Sequence, residues 1–197
     1  KEEDYLIGLR KFYNLADYLT INISSPNTEN LRSFHNEDEL SKLLDLVEKE
    51  KKILKTKIPI VVKISPDIKD ENINIIAELL LKHNVEAIII SNSTDRHREN
   101  LSNINKLEKG GLSGKPLEKK SNELINKFYK ILKNKIKIIG VGGVDSGQSV
   151  YQKIINGASL VQLYTGMIYK GPSIVSKINE ELINILENER VKNISDI

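Results

Sequence analysis

The sequence predicts an α/β fold in which helices cover a parallel sheet, and three observations support this prediction. Short apolar segments rich in Ile and Val recur five times, and each ends at Ser, Gly, Asn or Thr. Segments with the apolar spacing of amphipathic helices lie between them, so strand and helix alternate. Polar residues or glycines follow nearly every strand, which favours a (β/α)8 barrel, because a barrel gathers its functional groups at the carboxyl ends of its strands. An open, doubly wound sheet is the alternative.

The five predicted strands occupy residues 17–23, 58–64, 87–92, 136–141 and 159–164. Apolar residues at helical spacing mark the helices, in order: Leu6, Leu9, Phe12, Tyr13 and Leu15; Leu40, Leu43, Leu44 and Val47; Ile73, Ile76, Ala77 and Leu80; Leu124, Phe128 and Ile131; Val150, Ile154 and Ile155; Ile174, Ile178, Leu182 and Ile185. Asp70, Ser146 and Ser173 are the predicted capping residues of three of these helices.

The length of the chain bounds the domain organisation. The 197 residues are enough for one domain with a substantial core. Five βα units do not close an eight-stranded barrel, for which about 250 residues are usual. The chain also begins at Lys1 without a Met. We therefore expect residues 1–197 to be the carboxyl-terminal portion of a single barrel domain whose first strands lie upstream.

Composition limits the classes of function. The chain has no Cys, so disulfides and thiolate chemistry are excluded. Its 30 basic and 27 acidic residues are spread along the chain without a basic block, and we expect no nucleic-acid partner. No run approaches the roughly 20 apolar residues of a membrane span. The three histidines, His35, His83 and His97, lack the spacing of metal ligands, so we place them on the surface and expect no metal.

The end of the first predicted strand carries small polar side chains on stiff backbone. Pro26 fixes its own φ and biases Ser25 towards an extended conformation, so the Ser25 hydroxyl and the amides of Asn22 and Asn27 are held in place. Such groups suit a site that needs oriented hydrogen-bond donors and acceptors. The alternative is an Asn- and Ser-rich turn that satisfies its own backbone.

The four other strand ends add candidate groups. Lys63 lies inside an apolar strand, where it forms a salt bridge, stabilises negative charge on a cofactor or intermediate, or acts as a Schiff-base lysine. Asn92 lies between two hydroxyls and offers an amide from a second strand. Gly142 and Gly143, together with 164–166, resemble a phosphate pocket at the last two strands, with tight βα turns as the alternative. Paired carboxylates are absent from these ends, which weakens a hydrolase interpretation.

Six motifs, in this order, resemble the class 2 dihydroorotate dehydrogenases, the quinone-dependent, membrane-associated enzymes of pyrimidine synthesis. They are residues 22–28 (NISSPNT), 62–67 (VKISPD), 91–93 (SNS), 110–117 (GGLSGKPL), 140–144 (GVGGV) and 157–166 (GASLVQLYTG). The resemblance implies FMN-dependent oxidation of (S)-dihydroorotate to orotate on the way to UMP, with a membrane quinone as electron acceptor. The class 1 enzymes use Cys where this chain has Ser25, which favours class 2.

The resemblance also implies roles for individual residues. Ser25 matches the base that removes the C5 proton, Thr28 matches a relay hydroxyl, and Lys63 matches the lysine beside the flavin. The substrate-binding positions are Asn22, Asn27, Asn92 and Ser93. The FMN-binding positions are Asn22, Lys63, Ser91, Ser113, Gly114, Gly142, Gly143, Tyr164 and Thr165, of which Gly143, Tyr164 and Thr165 lie at the phosphate. Ser91 and Ser93 stand where threonine is common in the family.

The first barrel strands and the helical pair that admits quinone have no counterpart in these residues, so we expect the chain alone to be inactive. The resemblance implies peripheral membrane association through that part, at the cytoplasmic face of a bacterial inner membrane or at the mitochondrial inner membrane. Another FMN barrel, such as a class 1 relative or a dihydrouridine synthase, is an alternative function. A non-catalytic half-barrel scaffold and a lyase with a Lys63 Schiff base are two others.

Overall fold

The computed structural model describes residues 1–96, 98–99 and 101–197. The strands are β1 Leu19–Asn22, β2 Ile60–Ile64, β3 Ala87–Ile90, β4 Lys137–Val141 and β5 Leu160–Gln162. The helices are α1 Glu2–Phe12, α2 Glu37–Ile53, α3 Asp70–Lys82, α4 Glu118–Leu132, α5 Gly147–Ile155, α6 Thr165–Lys170 and α7 Ile174–Asn188. Short 3-10 helices lie at Leu31–His35, Ile104–Leu107, Lys115–Leu117 and Ile194–Asp196.

The five strands form one sheet in the order β1-β2-β3-β4-β5, and every neighbouring pair is parallel. This sequential order is that of a (β/α)8 barrel, whereas a doubly wound sheet reverses its strand order partway. The predicted fold class is therefore confirmed. Each observed strand lies within its predicted segment but is shorter, because the strand ends break into the turns that carry the polar residues.

Alternation along β2 decides which side chains face the helices. Ile60, Val62 and Ile64 belong to the large core that the sheet forms with the helices. Val61 packs on the opposite face, in a smaller cluster with Ala87, Ile89 and Ile139. Because successive side chains in a strand point to opposite faces, Lys63 shares the face of Val61. Lys63 therefore points to the side of the sheet away from the helices.

Of the three predicted helix-capping residues, one forms a capping hydrogen bond and two do not. The Ser146 side chain accepts a hydrogen bond from Ser149 N and forms a capping box at the start of α5, as predicted. Asp70 is instead the first residue of α3, where its carboxylate binds Lys127 at 2.7 and 2.8 Å. Ser173 precedes α7 without a capping hydrogen bond. Helix α6, which begins at Thr165 shortly after β5, was not predicted from the sequence.

The assignment of the histidines to the surface was wrong for two of them, because His35 and His83 are both buried. Nε2 of His35 accepts a hydrogen bond from Ser65 N at 3.3 Å, below the carboxyl end of β2. Nδ1 of His83 lies 3.2 Å from Glu48 Oε1, between α3 and α2. His97 lies outside the described residues. Helical periodicity cannot predict such contacts, since each histidine is buried by an element distant in sequence.

We expect the burial of His35 to make stability fall at acidic pH. Burial lowers the pKa of His35 to about 4, assisted by the nearby Arg32 charge and opposed by a backbone hydrogen bond at Arg32. Between about pH 6.5 and pH 4 the unfolded chain binds a proton that the folded chain excludes, so stability declines by up to about 1.4 kcal/mol per pH unit. Urea unfolding at pH 7 and pH 5 should show a smaller decline for His35→Gln than for the parent. Equal declines would contradict this prediction.

Candidate functional site

A cavity of about 840 Å³ opens at the carboxyl ends of the strands, a size that suits a small-molecule ligand. Its walls come from the ends of β2 to β5 and from the loop 111–117. Ten of the predicted site residues line it: Lys63, Ser91, Asn92, Ser93, Ser113, Gly114, Gly142, Gly143, Tyr164 and Thr165. Residues that are far apart in sequence therefore meet at one place, as the strand-end argument predicts.

Lys63 is the half-buried cation of this cavity. Burial lowers the pKa of Lys63, and no charged neighbour among the described residues opposes or adds to that shift. The salt bridge that the sequence analysis held open is thus not formed in the described part of the chain. A half-buried ammonium without a carboxylate partner can stabilise negative charge on a ligand in the cavity.

The amides of the first and third strand ends bind each other. Asn92 Nδ2 donates to Ser24 Oγ at 2.8 Å and to Asn22 Oδ1 at 3.4 Å. Asn92 Oδ1 accepts from Ser93 N at 2.8 Å, and Tyr5 Oη donates to the carbonyl of Asn22 at 2.8 Å. Asn22 is exposed and does not line this cavity, and its Oδ1 helps to orient the Asn92 amide.

The loop 24–28 after β1, which we call the Ser25 loop, lies beside this cavity and not on its wall. Ser25 Oγ accepts hydrogen bonds from Asn27 N at 3.2 Å and from Thr28 Oγ1 at 3.4 Å. Pro26 and Asn27 line a second cavity, of about 990 Å³, which they share with parts of the segment 95–110. The Ser25–Asn27 bond is the local turn that the sequence analysis gave as the alternative, and it leaves the Ser25 hydroxyl proton free to point elsewhere.

Gly111 packs closely against both Ser93 and Pro26, and it is not among the site residues predicted from the sequence. A Cβ at Gly111 would overlap Ser93 Oγ and would lie 3.1 Å from Pro26 Cγ. Any side chain here would push the two segments apart. The motif at 110–117 contained the signal, but only the fold shows which glycine the approach requires.

Glycines and hydroxyls lie together at the β4 and β5 ends of the cavity, where residues 142–144 form what we call the 142–144 cradle. Gly142 and Gly143 have φ of 113° and 75°, and a Cβ at Gly143 would overlap Glu118. Thr165 Oγ1 donates to Ser113 Oγ at 3.0 Å. Across the described residues, the backbone N–H groups of 142–144 donate to no protein acceptor. Successive free N–H groups of this kind make an anion-binding concavity.

Two details describe the neighbourhood of the predicted phosphate pocket. The first N–H of α5 is already taken, because Gly147 N donates to Glu181 Oε2 at 2.7 Å. Gly147 N is therefore not available to an anion in the cavity. Tyr164 lines the cavity, precedes α6 and is 74% exposed.

Lys153 supports the cradle from behind and was missed in sequence. Its Nζ donates to Ser121 Oγ at 3.1 Å and to Asn122 Oδ1 at 3.0 Å, and the side chain is fully buried. Ser121 Oγ in turn donates to the carbonyl of Val141 at 2.6 Å. Burial lowers the pKa of Lys153 to about 8, with the charge of Glu118 opposing the shift. This chain of contacts fixes the backbone immediately before Gly142.

Comparison with known proteins gives concordant results. The family model described as dihydroorotate dehydrogenase matches residues 1–186. A dihydroorotate dehydrogenase (quinone) of Bartonella tribocorum is 41% identical over 201 residues, which is 100% of this chain and 56% of that protein. The same-named protein of Nitrosomonas europaea is 46% identical over 180 residues, or 89% of this chain and 52% of that protein.

A solved structure agrees in fold as well as in sequence. The crystal structure of DHODH from Eimeria tenella in complex with ferulenol matches with a TM-score of 0.95 and 34% identity, over 99% of this chain and 56% of that one. The chain spans about half the length of the curated relatives it matches. Because the family model covers nearly all of the sequence, the chain belongs to the dihydroorotate dehydrogenase family.

Proposed function

We propose that the protein containing these residues oxidises (S)-dihydroorotate to orotate with FMN and passes the electrons to a membrane quinone, in the synthesis of UMP. One observation carries this proposal: a single cavity of about 840 Å³ has the unpaired Lys63 ammonium and the 142–144 cradle in its walls. An elongated, anionic and planar ligand with a phosphate at one end suits such a cavity.

The residues present fit FMN. The free N–H groups of 142–144, with the hydroxyls of Ser113 and Thr165, would hold its phosphate. Gly114 allows its loop to lie close to Thr165, since a Cβ at Gly114 would lie 2.8 Å from Thr165 Cγ2. Ser91 and Lys63 would border the ring, with Lys63 countering negative charge on it. Bound FMN supplies the two-electron acceptor for a hydride.

The substrate would lie between the Asn22–Asn92 pair and the Ser25 loop. Asn92, Ser93, Asn22 and Asn27 offer amide and hydroxyl groups that suit carbonyl and N–H edges and a carboxylate. Ser25 Oγ would take the proton from C5, and Thr28, whose Oγ1 is 3.4 Å away, would receive the Ser25 proton once the two hydroxyls exchange donor and acceptor roles. A serine hydroxyl is a weak base, so this step depends on that relay and on fixed geometry.

Residues 1–197 would supply the carboxyl-terminal part of one FMN-binding (β/α)8 barrel, with further strands and the quinone-site helices supplied by other residues of the protein. Exposed apolar side chains beside β5 support this, since Leu160 is 62% exposed and Ile168 is 67% exposed. The protein would then sit peripherally on a bacterial inner or mitochondrial inner membrane. Within the described residues, no helix is both long enough and apolar enough to cross a membrane.

The intact protein that carries these residues should be yellow when purified and should bleach on anaerobic addition of dihydroorotate. Visible absorbance measures both steps, and product analysis should find orotate. Yellow protein that stays yellow would contradict the substrate and favour another FMN barrel. Colourless protein that takes up no added FMN would contradict the cofactor and favour a scaffold.

A further inference from the structure

A buried carboxylate outside the reacting groups joins the loops of three strand ends. The side chain of Asp67, in the loop after β2, is 2% exposed. Its Oδ1 accepts hydrogen bonds from Thr94 Oγ1 at 2.6 Å and from Lys120 Nζ at 2.8 Å. Its Oδ2 lies 3.3 Å from Arg32 Nη2. We call Arg32, Asp67, Thr94 and Lys120 the Arg32–Asp67 cluster.

Arg32 also contacts the two loops that we call the substrate-side loops, which are the Ser25 loop and the Asn92–Ser93 segment. Its Nε donates to the carbonyl of Ser24 at 3.3 Å, and its Nη2 donates to the carbonyl of Ser93 at 3.2 Å. Its Nη1 pairs with Asp95 Oδ1 at 3.0 Å. One planar guanidinium thus bonds the backbone beside Ser25 and the backbone of Ser93. Asp67 Oδ2 receives no hydrogen bond from the residues that the structure describes, so it acts on Arg32 by charge.

The charge of Asp67 is maintained despite its burial. Burial alone would raise the pKa of Asp67, but hydrogen bonds from Lys120 and Thr94 and the charges of Lys120 and Arg32 lower it on balance. A buried carboxylate that stays ionised orients the cations around it firmly, because releasing either partner would leave an unpaired charge. The Arg32 guanidinium is therefore held at a defined position between the Ser25 loop and the Asn92–Ser93 segment.

We propose that Asp67 and Arg32 are positioning residues, which hold the Ser25 loop and the Asn92–Ser93 segment at the separation that proton removal from the substrate requires. This inference rests on the proposed function. Neither side chain needs to touch the substrate. Misplacement of a catalytic group by about 1 Å can cost on the order of 10²-fold in rate, so a fixed distance between these loops matters more than the strength of any one contact.

An exposed ion pair provides a matched control. Asp70 Oδ1 binds Lys127 Nζ at 2.7 Å, so it too joins the region after β2 to α4, but it contacts neither substrate-side loop. Asp70→Asn removes the same charge from the same neighbourhood. We expect Asp70→Asn to behave like the parent in every measurement below.

Asp67→Asn in the intact, flavin-loaded protein is the test. Flavin content and spectrum should match the parent, while flavin reduction by dihydroorotate should slow about 10- to 100-fold. Amide hydrogen exchange should rise in 22–32 and 92–95 with Asp67→Asn and not with Asp70→Asn. The exchange measurement does not depend on activity, and a parent that dihydroorotate fails to reduce would defeat the proposed function and not this proposal.

A double variant separates positioning from general loss of structure. If Asp67 acts through Ser25, Asp67→Asn should slow a Ser25→Ala protein by less than about 3-fold, because the base it positions is already gone. A full additional loss in that background would overturn the proposal, as would parent-like reduction by Asp67→Asn or unchanged exchange in 22–32. Should Asp67→Asn not fold, Thr94→Val is the substitute, because it removes one hydrogen bond to Asp67. Thr94→Val should then show slower flavin reduction and faster exchange. Thr94→Ser keeps the hydroxyl and should behave like the parent.

Discussion

Ser25→Ala is expected to leave the flavin bound and to slow its reduction by dihydroorotate by about 10²- to 10⁴-fold, the usual contribution of a general base. Ser25 lies outside the wall of the 840 Å³ cavity, so removing its hydroxyl does not disturb the 142–144 cradle. Among the described residues, its Oγ bonds only Asn27 N and Thr28 Oγ1 in the same loop. The lost group is therefore the proton acceptor and not a support of the fold.

Anaerobic stopped-flow reduction measures this effect, and two companion variants make it specific. Thr28→Val keeps the Ser25 hydroxyl but removes the 3.4 Å relay contact, so it should slow reduction less than Ser25→Ala does. Ser25→Cys restores a base with an ordinary pKa near 8.5, so its rate should rise with pH through that region. Parent-rate reduction by Ser25→Ala would remove Ser25 from the role of base.

The features that depend on local residue patterns could be predicted from the sequence. Short β-branched runs bounded by polar turns mark all five strands, and the parallel order follows because each strand is joined to the next through a helix. Period-2 alternation also explains why Lys63 leaves the helix-facing core. Ten predicted site residues meet at one cavity for the same reason: the carboxyl ends of parallel strands share one edge.

Contacts between segments distant in sequence are what the sequence analysis missed. Glu181 reaches the first N–H of α5 from α7, and Lys153 supports the cradle through Ser121. Asp67 stood inside a recognised motif, yet only the fold brings Thr94, Lys120 and Arg32 to its carboxylate. No spacing rule predicts these pairs, because they depend on how loops of different βα units pack.

Lys63 is the second residue whose loss should have a large effect, and its charge can be separated from its bulk. Lys63→Met keeps much of the aliphatic stem inside the strand but removes the ammonium. We expect weaker flavin retention and flavin reduction slowed by about 10²- to 10³-fold, the usual effect of removing one charge-stabilising donor. The physical reason is that Lys63 has no charged partner among the described residues, so its ammonium is available to a bound anion.

The matched control is Lys137→Met, because Lys137 is also a strand lysine but stands at the amino end of β4, opposite the cavity. It should retain flavin and reduce it at the parent rate. Flavin content after gel filtration and single-turnover reduction measure the two effects. A Lys63→Met protein that keeps its flavin and reduces it at the parent rate would show that the cavity does not use this charge.

The pH dependence of the parent gives an independent check on Lys63. Burial lowers its pKa from 10.5, so the ammonium loses its proton at a lower pH than a free lysine would. Charge stabilisation is complete below the lowered pKa and is lost as pH rises through it, so flavin reduction should decline on the alkaline side. Lys63→Arg stays charged over that range and should show no such decline, because a guanidinium does not deprotonate there. A decline of the same size in both proteins would assign it to another group.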